Sequence, residues 1–153
     1  MIIAAFVVLA VAAVVILALQ HGQRMPAVQP ANAPTDPYAA NLTIGNLKMS
    51  EASNFVGGKT TYVDGEITNK GTKTVTGITV QVLFRNFARE VAQNETQPMK
   101  LIRMREPYID VGPISDSPIK PGETKDFRLI FDSVKPDWDG AYPEIRILKV
   151  DTQ

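Results

Sequence analysis

Three patterns of apolar and polar positions follow one another along the chain. Residues 2–19 read IIAAFVVLAVAAVVILAL, with neither a polar side chain nor a proline. At about 1.5 Å rise per residue this run is about 27 Å long as a helix, close to the roughly 30 Å of a bilayer's hydrocarbon core. It predicts one N-terminal transmembrane helix, residues 1–20. A cleaved signal peptide fits less well, because its apolar region is usually only about 7–15 residues. The candidate cleavage sites are also poor: Ala31-Asn32-Ala33 lies far past the run and precedes Pro34, and Ala10-Val11-Ala12 lies inside it.

Residues 21–41 change character. Pro26, Pro30, Pro34 and Pro37 stand among Ala, Asn, Gln and Thr, with almost no large apolar residue before Tyr38. Proline fixes φ and has no N–H, so this stretch neither prolongs the helix nor enters a sheet. It reads as an extended tether of at most roughly 60 Å.

From residue 42 to 153 the period becomes two. Leu42, Ile44 and Leu47 open a strand, with Gly45-Asn46 as a bulge or bend. Tyr62, Asp64, Glu66 and Thr68 alternate with Val63, Gly65 and Ile67. Ile78, Val80, Val82 and Phe84 alternate with Thr79, Gln81, Leu83 and Arg85. One wet and one dry face is the mark of an antiparallel sheet. Asn69-Lys70-Gly71 between them is a turn, since Asn and Gly accept positive φ. Residues 89–104 read as a strand end, a long polar loop through Gln93 to Gln97, and a further strand. Lys120-Pro121-Gly122-Glu123 is a turn leading to Phe127, Leu129 and Phe131 on one face. A loop around Trp138 precedes a closing strand, in which Ile145 and Ile147 alternate with Arg146, Leu148 and Val150. About six to eight short strands predict an all-β fold, an Ig/fibronectin-like β-sandwich.

Composition mainly removes options. The 16 basic residues balance 16 acidic ones, so no electrostatic footprint for nucleic acid exists. With no cysteine, thiolate metal sites, disulfides and thiol nucleophiles are excluded. The single histidine, His21, sits beside the apolar run, far from any acidic residue, so a Ser-His-Asp arrangement is not available.

Two stretches carry a resemblance. GEITNKGTKTVTGITVQVLF is similar to FxLYD-like extracytoplasmic domains, in which a G-x-(apolar)-x-N strand and turn lead into an alternating strand. KPGETKDFRLIFDSVKPDWDGAYPEIRIL resembles a bacterial domain family of unknown function that pairs an N-terminal membrane helix with a small β-domain. Together they cover roughly residues 42–150. The resemblance implies the fold and membrane attachment, and no activity.

Candidate sites are few. Asp132, Asp137, Asp139 and Gly140 gather in DSVKPDWDG, but the spacing is not that of an EF-hand, and solvated turn carboxylates are the better reading. Trp138 reads as a core plug over one end rather than an exposed contact aromatic. Glu95 with Glu106, or Asp110 with Asp116, offer carboxylate pairs with no cleft to define them. Asn41-Leu42-Thr43 and Asn94-Glu95-Thr96 match glycosylation acceptors. No catalytic, cofactor-binding or metal site is expected.

Arg24 and His21 follow the apolar run and favour a cytoplasmic C-terminus by the positive-inside rule. The Pro-rich tether and the module type favour display outside, in the periplasm. The sequence therefore predicts a non-catalytic single-pass membrane protein that presents a β-sandwich to other membrane or envelope proteins. The alternative is an accessory subunit of a respiratory, photosynthetic or transport complex, with Ala4, Ala5, Ala12 and Ala13 allowing close helix approach.

Overall fold

The computed structural model describes residues 30–53, 55 and 57–153, so the expected transmembrane helix lies outside the described residues. Among those described, no helix is long and apolar enough to cross a membrane. They form two antiparallel sheets with a shared core, a β-sandwich. The larger sheet takes β1 (Leu42–Ser53), β2 (Lys59–Asn69), β7 (Thr124–Phe131), β5 (Lys100–Met104) and β6 (Asp110–Pro113) in that order. The smaller has β3 (Val75–Arg85) between β4 (Val91–Pro98) and β8 (Glu144–Thr152). Two short 3-10 turns, Pro37–Asn41 and Ile114–Asp116, complete the order.

Alternation decides what each sheet gives to the core. Val63 and Ile67 of β2 are buried with Phe127, Leu129 and Phe131 of β7, and they meet Ile78, Val80, Val82 and Phe84 of β3. Gly65 occupies an inward position between Val63 and Ile67 because of its neighbours. A Cβ there would stand 2.7 Å from the Phe127 ring and 2.8 Å from Leu47, so a side chain would displace the core. The β1 bulge falls where the sequence places it: the register shifts between Gly45 and Lys48, and Asn46 has φ 52°.

Two readings need correction. The polar run from Gln93 to Gln97 is not a loop but most of β4. Its inward glutamines lie at the sandwich edge, where they bond the opposite layer: Gln93 Nε2 donates to Ser133 O at 3.0 Å, and Gln93 Oε1 accepts from Lys135 N at 2.8 Å. Gln93 and Gln97 find backbone partners there, so the inward side of the strand carries no apolar period. In β8, Val150 is packed against the core with Ile145 and Ile147 rather than lying on the opposite face. A register shift between Thr79 and Val80 pairs Val80 with Ile147 and Ile78 with Val150, which moves the later residues to the inner face.

The lower end of the sandwich is organised by Asn69, which is fully buried. Its Nδ2 donates to Lys73 O (2.8 Å) and Ile119 O (3.0 Å), and its Oδ1 accepts from Gly71 N (3.0 Å) and Tyr38 Oη (3.2 Å). Its backbone bonds Glu123 O and Gly122 N in the neighbouring turn. Gly71 leaves room for the Tyr38 hydroxyl, which a Cβ would strike.

Residues 30–41 lie against the sandwich. Gln81 Nε2 donates to Pro30 O at 2.9 Å, and Arg146 donates to Ala31 O and, at 2.9 Å, to Ala33 O. Asp36 accepts from Tyr38 N (2.8 Å) and from Val150 N (3.0 Å), tying the first 3-10 turn to β8. This strap crosses the outer side of the smaller sheet, where Gln81 and Leu83 are buried although they point away from the core.

Candidate functional site

Pairing across β2 and β7 assembles a tightly bonded polar group on the solvent face of the larger sheet. Asp64 stands opposite Arg128. The guanidinium meets the carboxylate in a two-point contact, Nε to Oδ1 at 2.6 Å and Nη2 to Oδ2 at 2.7 Å. Arg128 Cζ also lies 4.6 Å from the centre of the Tyr62 ring. The side chains of Arg128 and Asp64 are only 13% and 18% exposed. The hydrogen bond that Arg128 donates to Asp64 raises the Arg128 pKa, partial burial opposes it, and the Asp64 charge adds to the rise. A raised pKa makes the contribution complete below the ordinary arginine range and lost only above it, so this side of the pair is constant at neutral pH.

Such an arrangement holds a tyrosine and an arginine, both enriched among the anchoring residues of protein interfaces, in fixed positions on an open face. The sequence placed Tyr62 and Asp64 on the wet face. Arg128 was missed, because only the β2/β7 register brings it to them.

The upper end is built from three connections: the β1–β2 hairpin, the β3–β4 hairpin and the loop from β7 to β8. Trp138 is half-buried there, edge-on to Phe84 with ring centres 5.4 Å apart, and its Nε1 donates to Ala141 O at 3.0 Å. It plugs one end of the core. Because it is not fully enclosed, Trp138→Ala is expected to cost about 2–3 kcal/mol, below the range for a wholly buried aromatic. Chemical denaturation checks this, and a cost under about 0.5 kcal/mol would deny Trp138 its packing role.

Aromatic side chains project from each connection: Phe55 is 112% exposed, Phe87 86% and Tyr142 58%. Phe87 is held out by a stiff turn. Asn86 N donates to Glu90 O (2.9 Å), Arg89 N to Asn86 O (2.8 Å), Glu90 N to Asn86 Oδ1 (2.9 Å), and Arg85 Nη1 to Arg89 O (3.0 Å), with Arg89 at φ 65°.

The carboxylates singled out in the sequence fall into other roles. Asp139 Oδ1 accepts from Ala141 N at 2.9 Å, shaping the loop, while Asp132 and Asp137 are exposed. Asp110 and Asp116 do come together, on either side of Arg103, at 3.1 Å and 3.3 Å. Glu95 lies in β4 and Glu106 in the loop after β5, on different sheets. Among the described residues no group of three His, Cys, Asp or Glu is placed to hold a metal. Asn41 and Asn94 are both half-buried.

Two antiparallel sheets with their ordered surface groups on a sheet face and at loop tips define an all-β sandwich domain. The chain belongs to the family described as protein of unknown function (DUF2393), whose model matches residues 39–143. No curated protein and no solved structure matches it.

Proposed function

We propose that the protein is a non-catalytic, single-pass membrane protein whose Ig-like sandwich docks other envelope proteins through the open face of its larger sheet. The carrying observation is the pre-organised Tyr62–Asp64–Arg128 group at the middle of that face. Rigid side chains lose little entropy on contact, which favours a specific protein partner. The apolar residues 2–19 supply the anchor, and the Pro-rich residues that follow support display on the outer, periplasmic side. The order β1-β2-β7-β5-β6 against β4-β3-β8 supports the Ig-like reading, having one strand, β6, beyond the four-plus-three division of constant-type immunoglobulin domains.

The test is co-purification of the full chain from native membranes in mild detergent. The wild type is expected to bring down a partner that Tyr62→Ala loses about tenfold or more. The melting temperature should move by only a few degrees. A wild-type chain that emerges alone, or a variant that retains its partner, would refute the docking face. Recovery in fixed stoichiometry with an integral complex would assign the accessory-subunit role.

A further inference from the structure

We propose that the upper end of the sandwich rests in the headgroup region of the bilayer, with Phe55, Phe87 and Tyr142 as its contacts. This rests on the reading of residues 2–19 as a membrane anchor. It adds to that reading the domain's orientation and a second, lipid-contacting site.

The first argument is the length of chain and where it arrives. The strap is fixed at Pro30, whose carbonyl is bound by Gln81. Residues 20–29 alone separate it from the apolar run, a reach of at most about 35 Å. Gln81 lies four positions before Arg85, where β3 ends at the top, and six after Val75, where it begins. At about 3.3 Å per residue the attachment is about 13 Å from the upper limit of the strand and about 20 Å from the lower. The leash thus reaches the aromatic end with less chain.

The second argument is chemical. The three exposed rings come from the larger sheet, the smaller sheet and the connection between them, so each part of this end contributes one. Apolar rings with small polar surroundings suit the boundary between headgroups and acyl chains. Among the charges beside them, Lys59 pairs with Glu51 at 3.3 Å and Arg85 with Glu144 at 2.8 Å, and the exposed Arg89 and Lys135 are balanced by the exposed Asp132 and Asp137 of the same end. The lower end instead carries Lys70, Lys73 and Lys120 in its turns, with Tyr108 as its one strongly exposed aromatic among the described residues. Seating by the upper end therefore needs apolar depth and not anionic lipid, whereas seating by the lower end would need anionic lipid.

The chain contains no cysteine, so single substitutions report alone. Phe55→Cys, Phe87→Cys, Tyr108→Cys and Lys120→Cys are made in the full chain, labelled with one environment-sensitive fluorophore and reconstituted in phosphatidylcholine vesicles containing brominated phosphatidylcholine. Tyr108 is exposed too, but lies in the loop after β5 toward the lower end, so it controls for the label's own stickiness. Labels at 55 and 87 are expected to be quenched about fivefold more than those at 108 and 120, unchanged by added phosphatidylglycerol. Equal weak quenching in a protein that floats with the vesicles would overturn the orientation and leave the anchor standing. Failure to float would remove the anchor and the orientation together. Stronger quenching at 108 or 120, or quenching only with phosphatidylglycerol, would put the lysine-bearing end down. Labels at 55 and 87 shielded in plain detergent would show a second copy covering them, which also overturns the proposal.

Discussion

Asn69→Ala is expected to destabilise the domain by about 3 kcal/mol, lowering the melting temperature by about 10–15 °C. The side chain fills a closed site in which each of its polar atoms is used, by Lys73 O, Ile119 O, Gly71 N and the Tyr38 hydroxyl. Its amide orientation follows from those partners, since only Nδ2 can face two carbonyls. Alanine leaves these groups facing a small void, and the strap, the β2–β3 turn and the Lys120–Glu123 turn lose their common tie. Asn69→Asp tests the cause. A carboxylate oxygen would then face the two carbonyls, so the charged form is disfavoured and the pKa rises. A raised folded-state pKa stabilises below the unfolded value and is lost as pH increases, so this variant should be more stable near about pH 4 than near about pH 7, relative to wild type. A drop below about 1 kcal/mol for the alanine variant would mean that water replaces the amide without loss.

Phe84→Ala is expected to cost about 4 kcal/mol, the largest single effect in the core. Phe84 is fully buried and stands between two other rings, edge-on to Phe131 at 4.9 Å and to Trp138 at 5.4 Å. It is where the smaller sheet, the larger sheet and the β7–β8 loop meet. Loss of the ring removes contacts on both sides, so the emission of Trp138, the only tryptophan, should shift to the red. Phe84→Leu keeps much of the volume and should cost only about 1–2 kcal/mol. Equal costs for leucine and alanine would show that the site collapses around a small side chain, contrary to a three-way packed core.

What the sequence shows of this fold follows from how each residue is buried. β2, β3 and β7 cross the middle of the sandwich, where an inward side chain has only apolar neighbours, so Val63, Ile67, Val80, Val82, Phe127 and Leu129 display a clean period of two. β4 is an edge strand whose inward glutamines find backbone partners, and this chemistry has no periodic signature. The slip in β8 comes from a bulge that no residue type announces. Surface features were legible only in part. Tyr62 and Asp64 belong to one strand and could be placed on a common face, but Arg128 reaches them through a pairing of distant segments. Phe55 and Phe87 look like core candidates by residue type, and only the hairpins around them turn them outward.

The strap across the smaller sheet has a mechanical consequence. It is gripped chiefly by side chains, Gln81 and Arg146, closing on the carbonyls of Pro30, Ala31 and Ala33, and not by a strand ladder. Tension applied from the N-terminal side therefore loads these few bonds before it reaches β1. If they open, residues 30–35, up to the tie between Asp36 and Val150 N, lengthen the leash by at most about 20 Å while both sheets stay intact. The domain thus has a yield point built in series with its attachment, set to give way before the fold does.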